Sequence, residues 1–283
     1  MGNDIIINGY KRMSVSCVSI CSIARDCQKN LKYNIRKIEK LRSCFADSEV
    51  IIFENDSKDG TLKILESWEQ ESNNVLIKSE KYQNTTIPEN ANGGNPYFSR
   101  YRIEKMSFYR NKYVEILNTN KFKRDFVMVI DLDIANFSID GIAHSFGVKQ
   151  DWSCMTSFGT SLSKTLRMQY HDTYALIESG YQVLPMTEQT INQNRKKFAL
   201  LKKGMPLIAV DSAFGGLAIY DWNLLKGKYY SCIKNNDARV QVLCEHVSLN
   251  KQLGGNIFIN PNMKVKYRCI SLSFILDQLK KRY

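Results

Sequence analysis

Apolar residues in the first half of the chain alternate between short continuous runs and helical stripes. A run of small and β-branched residues over 14–24 predicts a strand, and apolar residues spaced three and four apart after it predict a helix. A second unit follows, with a strand at 50–53, a polar turn at 54–60 and a helix from Thr61. This alternation is typical of a parallel sheet with helices on its faces, in which ligands bind beyond the carboxyl ends of the strands.

The pattern continues through a third strand and a long loop and then becomes less regular. A strand is predicted at 74–79, a binding loop or flap at 81–96, a helix at 99–117 and a strand covered on both faces at 126–130. The second half is predicted to contain strands at 152–157, 213–220 and 257–259 and a helix at 245–252. We therefore expect a single large α/β domain with a mostly parallel, Rossmann-like sheet flanked by helices.

The composition is that of an ordinary globular protein. With 283 residues, 43% hydrophobic and 24% charged, the chain does not fit the collagen-like, low-complexity or disordered classes. Its formal net charge of +12 indicates attraction to phosphorylated or other anionic partners. Because the basic residues are spread along the chain instead of forming one arm, we expect no nucleic-acid partner.

Cysteine usage and the two chain ends bear on localisation. The eight cysteines form no CxxC pair and several lie in apolar runs, which indicates reduced thiols in a cytoplasmic protein. We expect neither a leader peptide nor a membrane span, since no apolar run reaches about 18 to 20 residues. A basic C-terminal helix or tail at 271–283 has an apolar face that fits peripheral contact with an anionic membrane, and packing on the domain is the alternative.

Two carboxylates directly follow the buried strand at 126–130. Residues i and i+2 of an extended segment face the same way, so Asp131 and Asp133 can point into one site. A divalent cation would relieve their mutual repulsion, and carboxylate with phosphate oxygens is the ligand set that Mg²⁺ or Mn²⁺ prefers. Solvated loop acids are the alternative interpretation, but the position at a strand end favours a metal site.

An arginine lies inside the apolar stripe of the helix predicted at 99–117. Arg110 is seven residues from both Ile103 and Leu117, and burying a guanidinium group without an anionic partner is costly. An internal ion pair would satisfy it. A nucleotide or its diphosphate would also do so, because the planar fork of donors suits phosphate oxygens.

Two further polar clusters lie where ligands are expected. Glu54, Asn55 and Asp56 follow the second strand, at the position where a nucleotide-binding sheet contacts base or ribose. Glu245 and His246 begin a helix late in the chain, and the chain has only three histidines. Neighbouring helical residues point in different directions, so Glu245 and His246 need not act on the same atom. The alternative interpretation is that Glu245 simply stabilises the start of a surface helix through the helix dipole.

Taken in order, these motifs resemble nucleotide-sugar glycosyltransferases of the GT-A fold over about residues 14–267. The turn at 54–61 is similar to the DDxSxDxT turn of the family 2 transferases, with an asparagine in place of the second acid. Arg110-Asn111 resembles their Arg-Asn pair, and Asp131-Leu132-Asp133 resembles their DxD motif. Glu245-His246 falls where those enzymes have a Glu-Asp pair.

The chain also resembles the fungal capsular mannosyltransferase family, sometimes called family 69. This likeness adds the following segments: Arg102-Ile103, Tyr170-His171-Asp172, the Gly215-Gly216 strand, Cys244-Glu245 and Ile259-Asn260-Pro261. Family 2 enzymes invert the anomeric carbon, whereas the α-mannosyltransferase family is expected to retain it. The stereochemistry therefore stays open.

The resemblance implies transfer of a sugar from a UDP- or GDP-sugar donor to a hydroxyl of a glycan or glycoconjugate acceptor. It also implies a nucleotide-sugar-binding half at 14–135 and an acceptor-binding half at 136–270. The implied roles are donor binding by Glu54, Asn55, Asp56 and Arg110, Mn²⁺ or Mg²⁺ binding by Asp131, Asp133 and His246, and proton acceptance by Glu245 in an inverting reaction. In a retaining reaction Glu245 would instead bind a sugar.

Two alternatives to a glycosyltransferase are retained. A nucleotidyltransferase acting on sugar phosphates also pairs carboxylates on a metal, but it should have a glycine-rich phosphate loop near the first strand. The segment 22–26 contains no glycine, which disfavours that class. The other alternative is an inactive glycan-binding protein with the GT-A fold, and the presence of both DxD acids speaks against it.

Overall fold

A computed structural model describes residues 2–163, 167–180 and 185–267. The C-terminal helix or tail predicted at 271–283, and the membrane contact predicted for it, lie outside these residues. Within the described ranges, no helix combines the length and apolar character that crossing a bilayer requires.

Helices and strands alternate along the described chain. The helices are α1 (Gly2–Met13), α2 (Gln28–Arg42), α3 (Thr61–Glu71), α4 (Arg100–Thr119), α5 (Ile139–Gly147), α6 (Glu188–Lys197), α7 (Trp222–Leu225) and α8 (Glu245–Asn250). The strands are β1 (Cys17–Ala24), β2 (Asp47–Asn55), β3 (Val75–Glu80), β4 (Phe126–Ile130), β5 (Asn136–Phe137), β6 (Cys154–Leu162), β7 (Met168–Tyr170), β8 (Ile177–Glu178), β9 (Ile208–Ser212), β10 (Leu217–Asp221) and β11 (Ile257–Lys266). The predicted elements up to β4 all form, with shifts of a few residues at their ends.

All the described strands join one sheet, in the order β3-β2-β1-β4-β10-β6-β11-β9-β8, with β5 beside β11 and β7 beside β6. The first four strands pair in parallel, in the order that nucleotide-binding α/β sheets use. β10 then runs antiparallel to both β4 and β6, and β6 pairs with β11 in parallel. The structure confirms the predicted single α/β domain of GT-A type, with its parallel region in the first half and antiparallel additions in the second.

An apolar layer covers each face of the sheet. On one face α4 buries Ile103 and Leu117, and on the other α2 buries Leu31 and Ile38. α4 begins where the Ser99 side chain accepts a hydrogen bond from the backbone N–H of Arg102, a normal N-cap. This packing fixes the faces of α4 and therefore determines the direction in which its polar residues project.

The helices α1 and α5, which the sequence patterns did not predict, pack closely on one another. A Cβ atom on Gly9 would lie 1.7 Å from the carbonyl oxygen of Ala143, and one on Gly147 would lie 1.8 Å from that of Ile5. Glycine at both positions is therefore required for this approach. α5 packs in turn on β11, where a Cβ atom on Gly141 would lie 2.2 Å from the carbonyl oxygen of Asn262.

Candidate active site

A cavity of about 340 Å³ opens at the carboxyl ends of the parallel strands. Ala24 at the end of β1, Asn55 at the end of β2 and Asp131 just after β4 all line it. This is the position at which open α/β sheets bind their ligands. Its charged lining consists of the acids Asp131, Asp133, Asp172 and Glu245 and the arginines Arg25, Arg102 and Arg110. We call it the donor cavity.

Arg110 is buried at the centre of this arrangement. Its Nε donates to Oε1 of Glu245 at 3.0 Å, and its Nη2 lies 3.7 Å from Oδ1 of Asp131. The guanidinium carbon lies 5.3 Å from the ring centre of Phe214 and 5.7 Å from that of Tyr230. The internal ion pair considered from the sequence therefore exists. Within the described ranges, however, the buried Nη1 atom has no hydrogen-bond partner.

Asp131 and Asp133 both line the cavity, directly after β4. Tyr267 donates its hydroxyl to Oδ2 of Asp131 at 2.8 Å, and the Asn30 side chain donates to the carbonyl oxygen of Asp133 at 3.1 Å. Burial raises the pKa of Asp131 to about 7 and the charge of Asp133 adds to this, although Arg110 opposes it. A charged Asp131 is thus destabilised in this site, and a bound cation would stabilise it.

The described residues include no ready-made metal centre. No group of three or more His, Cys, Asp or Glu side chains in residues 2–163, 167–180 and 185–267 is arranged to hold a metal ion. Of the four acids that line the cavity, Asp131 and Asp133 come from one short segment after β4, and two such carboxylates fit a Mg²⁺ or Mn²⁺ ion that takes its other ligands from a phosphate and water.

Glu245 and His246 both line the cavity and both are almost fully buried. Burial raises the pKa of Glu245, but the combined effect of Arg110, His246, Arg102 and a backbone hydrogen bond lowers it to about 2. The His246 ring stacks on Phe214 with centres 3.8 Å apart, and neither ring nitrogen has a hydrogen-bond partner among the residues that the structure describes. Burial and the charge of Arg110 hold the pKa of His246 well below its usual value.

The three polar residues after β2 have different surroundings. Asn55 lines the cavity. Glu54 is buried beneath the turn, where its carboxylate accepts hydrogen bonds from the Ser57 backbone N–H at 2.9 Å and from the Ser79 hydroxyl. Asp56 accepts from the backbone N–H groups of residues 82 and 83 at 2.8 and 2.9 Å. Glu54 and Asp56 therefore hold the turn and the following loop, and only Asn55 of the three faces the cavity.

The long loop predicted at 81–96 is attached to the site at several points. The Arg25 side chain donates to the carbonyl oxygen of Asn84 at 2.9 Å, and the Tyr109 hydroxyl donates to the Asn84 side chain at the same distance. Farther along, the backbone N–H of Asn95 donates to the carbonyl oxygen of Arg239. The loop thus forms one wall of the cavity, with Thr86 in its lining.

The structure adds Asp172 to the candidate site residues. The family resemblance included Asp172 within Tyr170-His171-Asp172, but no local pattern gave it a role. Its backbone is left-handed, with φ of 64°, and its Oδ2 accepts from the backbone N–H of Gly215 at 3.3 Å. Burial together with the charges of Asp131 and Glu245 raises the pKa of Asp172 to about 8.

Arg25, Arg102 and Tyr267 are also brought to the cavity from distant parts of the chain. The Nε atom of Arg102 is buried without a hydrogen-bond partner within the described part of the chain. Tyr267 reaches Asp131 across Gly216, where a Cβ atom would lie 2.4 Å from the tyrosine hydroxyl oxygen. Gly216 also has a left-handed φ of 92°. Gly216 thus makes room for the Tyr267 side chain, whereas Gly215 lies against the backbone of Ser157.

A family comparison matches nearly the whole chain. Residues 18–270 match the sequence model of the family described as cryptococcal mannosyltransferase 1. The matched range includes every candidate site residue named above. No curated individual protein matches the sequence significantly.

Several solved structures share the fold at low sequence identity. TarS 1-349 of S. aureus has a TM-score of 0.46 and 14% identity over 93% of this chain and 63% of its own, so the chain spans about three fifths of that structure. PcManGT of Pyrobaculum calidifontis, solved with GDP-Man and Mn²⁺, has a TM-score of 0.48 and 10% identity over 99% of this chain and 69% of its own. Glucosyl-3-phosphoglycerate synthase of Mycobacterium tuberculosis has a TM-score of 0.46 and 12% identity over 98% of this chain and 82% of its own. Scores of this size are too low to transfer functional detail.

Proposed function

The chain belongs to the family described as cryptococcal mannosyltransferase 1, a family of glycosyltransferases, and we propose that it transfers a hexosyl group from a nucleotide-sugar donor to a hydroxyl of a glycan acceptor. The name of the family makes mannose the first sugar to test. GDP-sugars and UDP-sugars are the two donor classes to compare. The glycan acceptor and the linkage are part of the proposal and follow from the family resemblance.

One observation carries the proposal, the unpartnered guanidinium nitrogen of Arg110 in a cavity at the ends of parallel strands. Leaving a buried charged donor without a partner costs free energy, which a ligand oxygen would recover. A diphosphate fits this position, because Arg102 offers a second unpartnered nitrogen in the same cavity. Asn55 faces the same space and is the candidate contact for the nucleoside.

Asp131 and Asp133 fit a divalent metal ion. Both residues line the cavity, and burial raises the pKa of Asp131, so a bound cation would favour its charged form. A bound Mn²⁺ or Mg²⁺ would neutralise charge on the departing nucleoside diphosphate. Tyr267 orients Asp131 through its hydroxyl. His246 stays a proposed additional ligand or diphosphate contact, because both of its nitrogens are available.

Glu245 and Asp172 are the candidate groups on the acceptor side. With its pKa lowered to about 2, Glu245 is a weak proton acceptor, and its contact with Nε of Arg110 fits a role in orienting that arginine. Burial raises the pKa of Asp172 to about 8, so its ionised form is a much stronger base than the Glu245 carboxylate. We propose Asp172 as the acceptor for the hydroxyl proton in an inverting reaction, and Glu245 as the positioning residue.

A panel of UDP- and GDP-sugars, incubated with and without Mn²⁺, tests the function. Release of nucleoside diphosphate from one donor class, dependent on the metal, is the expected result. Anomeric analysis of the product then separates inversion from retention. Release of pyrophosphate from nucleoside triphosphate and a sugar phosphate would instead identify a nucleotidyltransferase, and donor binding without any turnover would identify an inactive glycan-binding protein.

A further inference from the structure

A second cavity, of about 450 Å³, lies between α1, α2, β5 and the end of β11. Its lining includes the side chains of four lysines: Lys37, Lys40, Lys264 and Lys266. We call it the lysine pocket. It shares no lining residue with the donor cavity, and none of the residues given a role in sugar transfer contributes to it.

The lysine pocket has an excess of positive charge. Within the described ranges, no carboxylate lies within 4.0 Å of any of its four ammonium groups. Asp140, the one acid in its lining, accepts a hydrogen bond from the Tyr10 hydroxyl at 2.7 Å. Burial and the charge of Lys40 lower the pKa of Lys37, as expected where ammonium groups face one another without a counter-ion.

Lys37 is held in place within the pocket. Its ammonium group donates to the Asn136 side chain and lies 4.9 Å from the ring centre of Phe137. The Tyr33 hydroxyl donates to the same Asn136 oxygen at 3.3 Å. A long, flexible side chain fixed in this way loses less entropy when it binds a ligand. The pocket is therefore partly organised before any ligand arrives.

We propose that the lysine pocket binds a phosphate or diphosphate group at a site separate from the nucleotide-sugar donor. Several compact ammonium groups around one concave space match a multiply charged anion, and lysine binds phosphate as a point charge. The volume of about 450 Å³ admits a phosphate together with the sugar or alcohol that carries it. The ligand class is thus a phosphate ester or diphosphate ester.

The pocket lies directly behind the segment that carries the DxD acids. Asn136 contacts Lys37 and comes three residues after Asp133. The Asn34 side chain donates to the carbonyl oxygens of Leu132 and Ile134 at 2.9 and 2.8 Å, which ties the segment to α2. A ligand in the lysine pocket would thus bind beside this segment without entering the donor cavity.

Isothermal titration with inorganic pyrophosphate, in the absence of divalent metal, tests the site. The Lys37→Gln/Lys264→Gln variant is expected to raise the dissociation constant for pyrophosphate at least ~tenfold, since two charge-assisted contacts are removed. Lys63→Gln/Lys251→Gln removes the same charge from two exposed lysines that line neither cavity, and should leave the constant unchanged. Arg110→Lys should weaken pyrophosphate binding in the donor cavity only and leave the dissociation constant of the lysine pocket unchanged.

Equal weakening of pyrophosphate binding by the Lys37→Gln/Lys264→Gln and Lys63→Gln/Lys251→Gln variants would show a nonspecific charge effect and overturn the proposal. Loss of binding in Arg110→Lys alone would assign pyrophosphate to the donor cavity and also overturn it. Co-sedimentation with phosphatidylcholine vesicles that contain phosphatidic acid, lost in the Lys37→Gln/Lys264→Gln variant, would identify a lipid phosphate. Pyrophosphate binding without co-sedimentation would identify a soluble ligand, and absence of both would refute the site. None of these outcomes depends on sugar transfer.

Discussion

One short segment, residues 131–137, lines both cavities, with its first residues in the donor cavity and its last in the lysine pocket, and the two cavities differ in how their charges are arranged. In the donor cavity, acids and arginines are interleaved, and the buried guanidinium of Arg110 contacts two carboxylates. In the lysine pocket, four lysines and one acid line the same space. A buried charge requires a partner, whereas a half-exposed cluster of one sign is tolerated because water and salt screen it.

The difference bears on what each cavity can do. The donor cavity fixes the position of its charges in the empty protein, which is the condition for electrostatic stabilisation of a reacting group. The lysine pocket supplies attraction and selectivity for charge, but less fixed geometry. We therefore expect substitutions in the donor cavity to affect reaction and stability, and those in the lysine pocket to affect anion binding only.

The largest effect is expected for the acids after β4. The Asp131→Asn/Asp133→Asn variant should lower transfer on the order of 10³-fold, because the metal and its charge neutralisation are lost. Its melting temperature should stay the same or rise, since two neighbouring carboxylates no longer repel one another. Donor turnover and thermal unfolding measure these effects, with pyrophosphate binding in the lysine pocket as the unaffected control.

Full transfer by that variant, or by the wild-type protein in EDTA, would contradict a metal role for these two acids. Loss of pyrophosphate binding along with transfer would show that the two cavities are not independent.

Arg110→Ala is expected to have the next largest effect, on stability as well as on donor binding. Removing the arginine leaves the Glu245 carboxylate buried without its partner, which costs about 3 to 5 kcal/mol of unfolding free energy. The Arg110→Ala/Glu245→Gln variant should recover part of this loss, while its affinity for UDP or GDP stays low. Denaturant unfolding and nucleotide titration give the two quantities.

The matched control is Lys37→Ala in the lysine pocket, which should change the unfolding free energy by less than about 1 kcal/mol. If Arg110→Ala/Glu245→Gln binds nucleotide as the wild-type protein does, Arg110 has only a structural role.

Asp172 and Glu245 should differ in which kinetic constant they affect. Asp172→Asn should lower kcat about 10²- to 10⁴-fold with little change in KM for the donor, as expected for loss of a proton acceptor. Glu245→Gln should chiefly raise the donor KM, because Arg110 loses the carboxylate that orients it. Steady-state kinetics on both variants make the comparison. The reverse pattern would return the proton-acceptor role to Glu245.

The smallest predicted effect is on acid stability, through His246. Its pKa is far below the usual value in the folded protein, so below about pH 6.5 the unfolded chain binds a proton that the folded chain does not. This contribution to stability is present above about pH 6.5 and is lost as the pH falls. His246→Phe keeps a ring against Phe214 and should reduce the decrease in unfolding free energy by up to about 1.4 kcal/mol for each pH unit below that value.

Unfolding midpoints measured between pH 7.5 and 5 test this expectation. Leu249→Ala, which destabilises the same short helix without removing a titratable group, is the control. An equal flattening in the control would show that His246 is not the titrating group.

The first half of the chain illustrates how much local pattern determines. Periodic burial predicted β1, α2, β2, α3 and β4, and the position of Asp131 and Asp133 at a strand end predicted a site that includes them; both line the donor cavity. The same reasoning failed for α1 and α5, whose close contact depends on Gly9 and Gly147 meeting carbonyl groups more than 130 residues away. A local pattern carries no information about such a contact.

The sequence by itself determined which residues have chemistry that requires a partner: Arg110 inside an apolar stripe and Asp131 with Asp133 at a strand end. The tertiary structure alone decided what the partners are. Glu245 pairs with Arg110 across 135 residues, and Tyr267 reaches Asp131 across 136. Periodicity records which face of an element is buried, whereas such pairings depend on the order of strands in the sheet and the path of the chain between them.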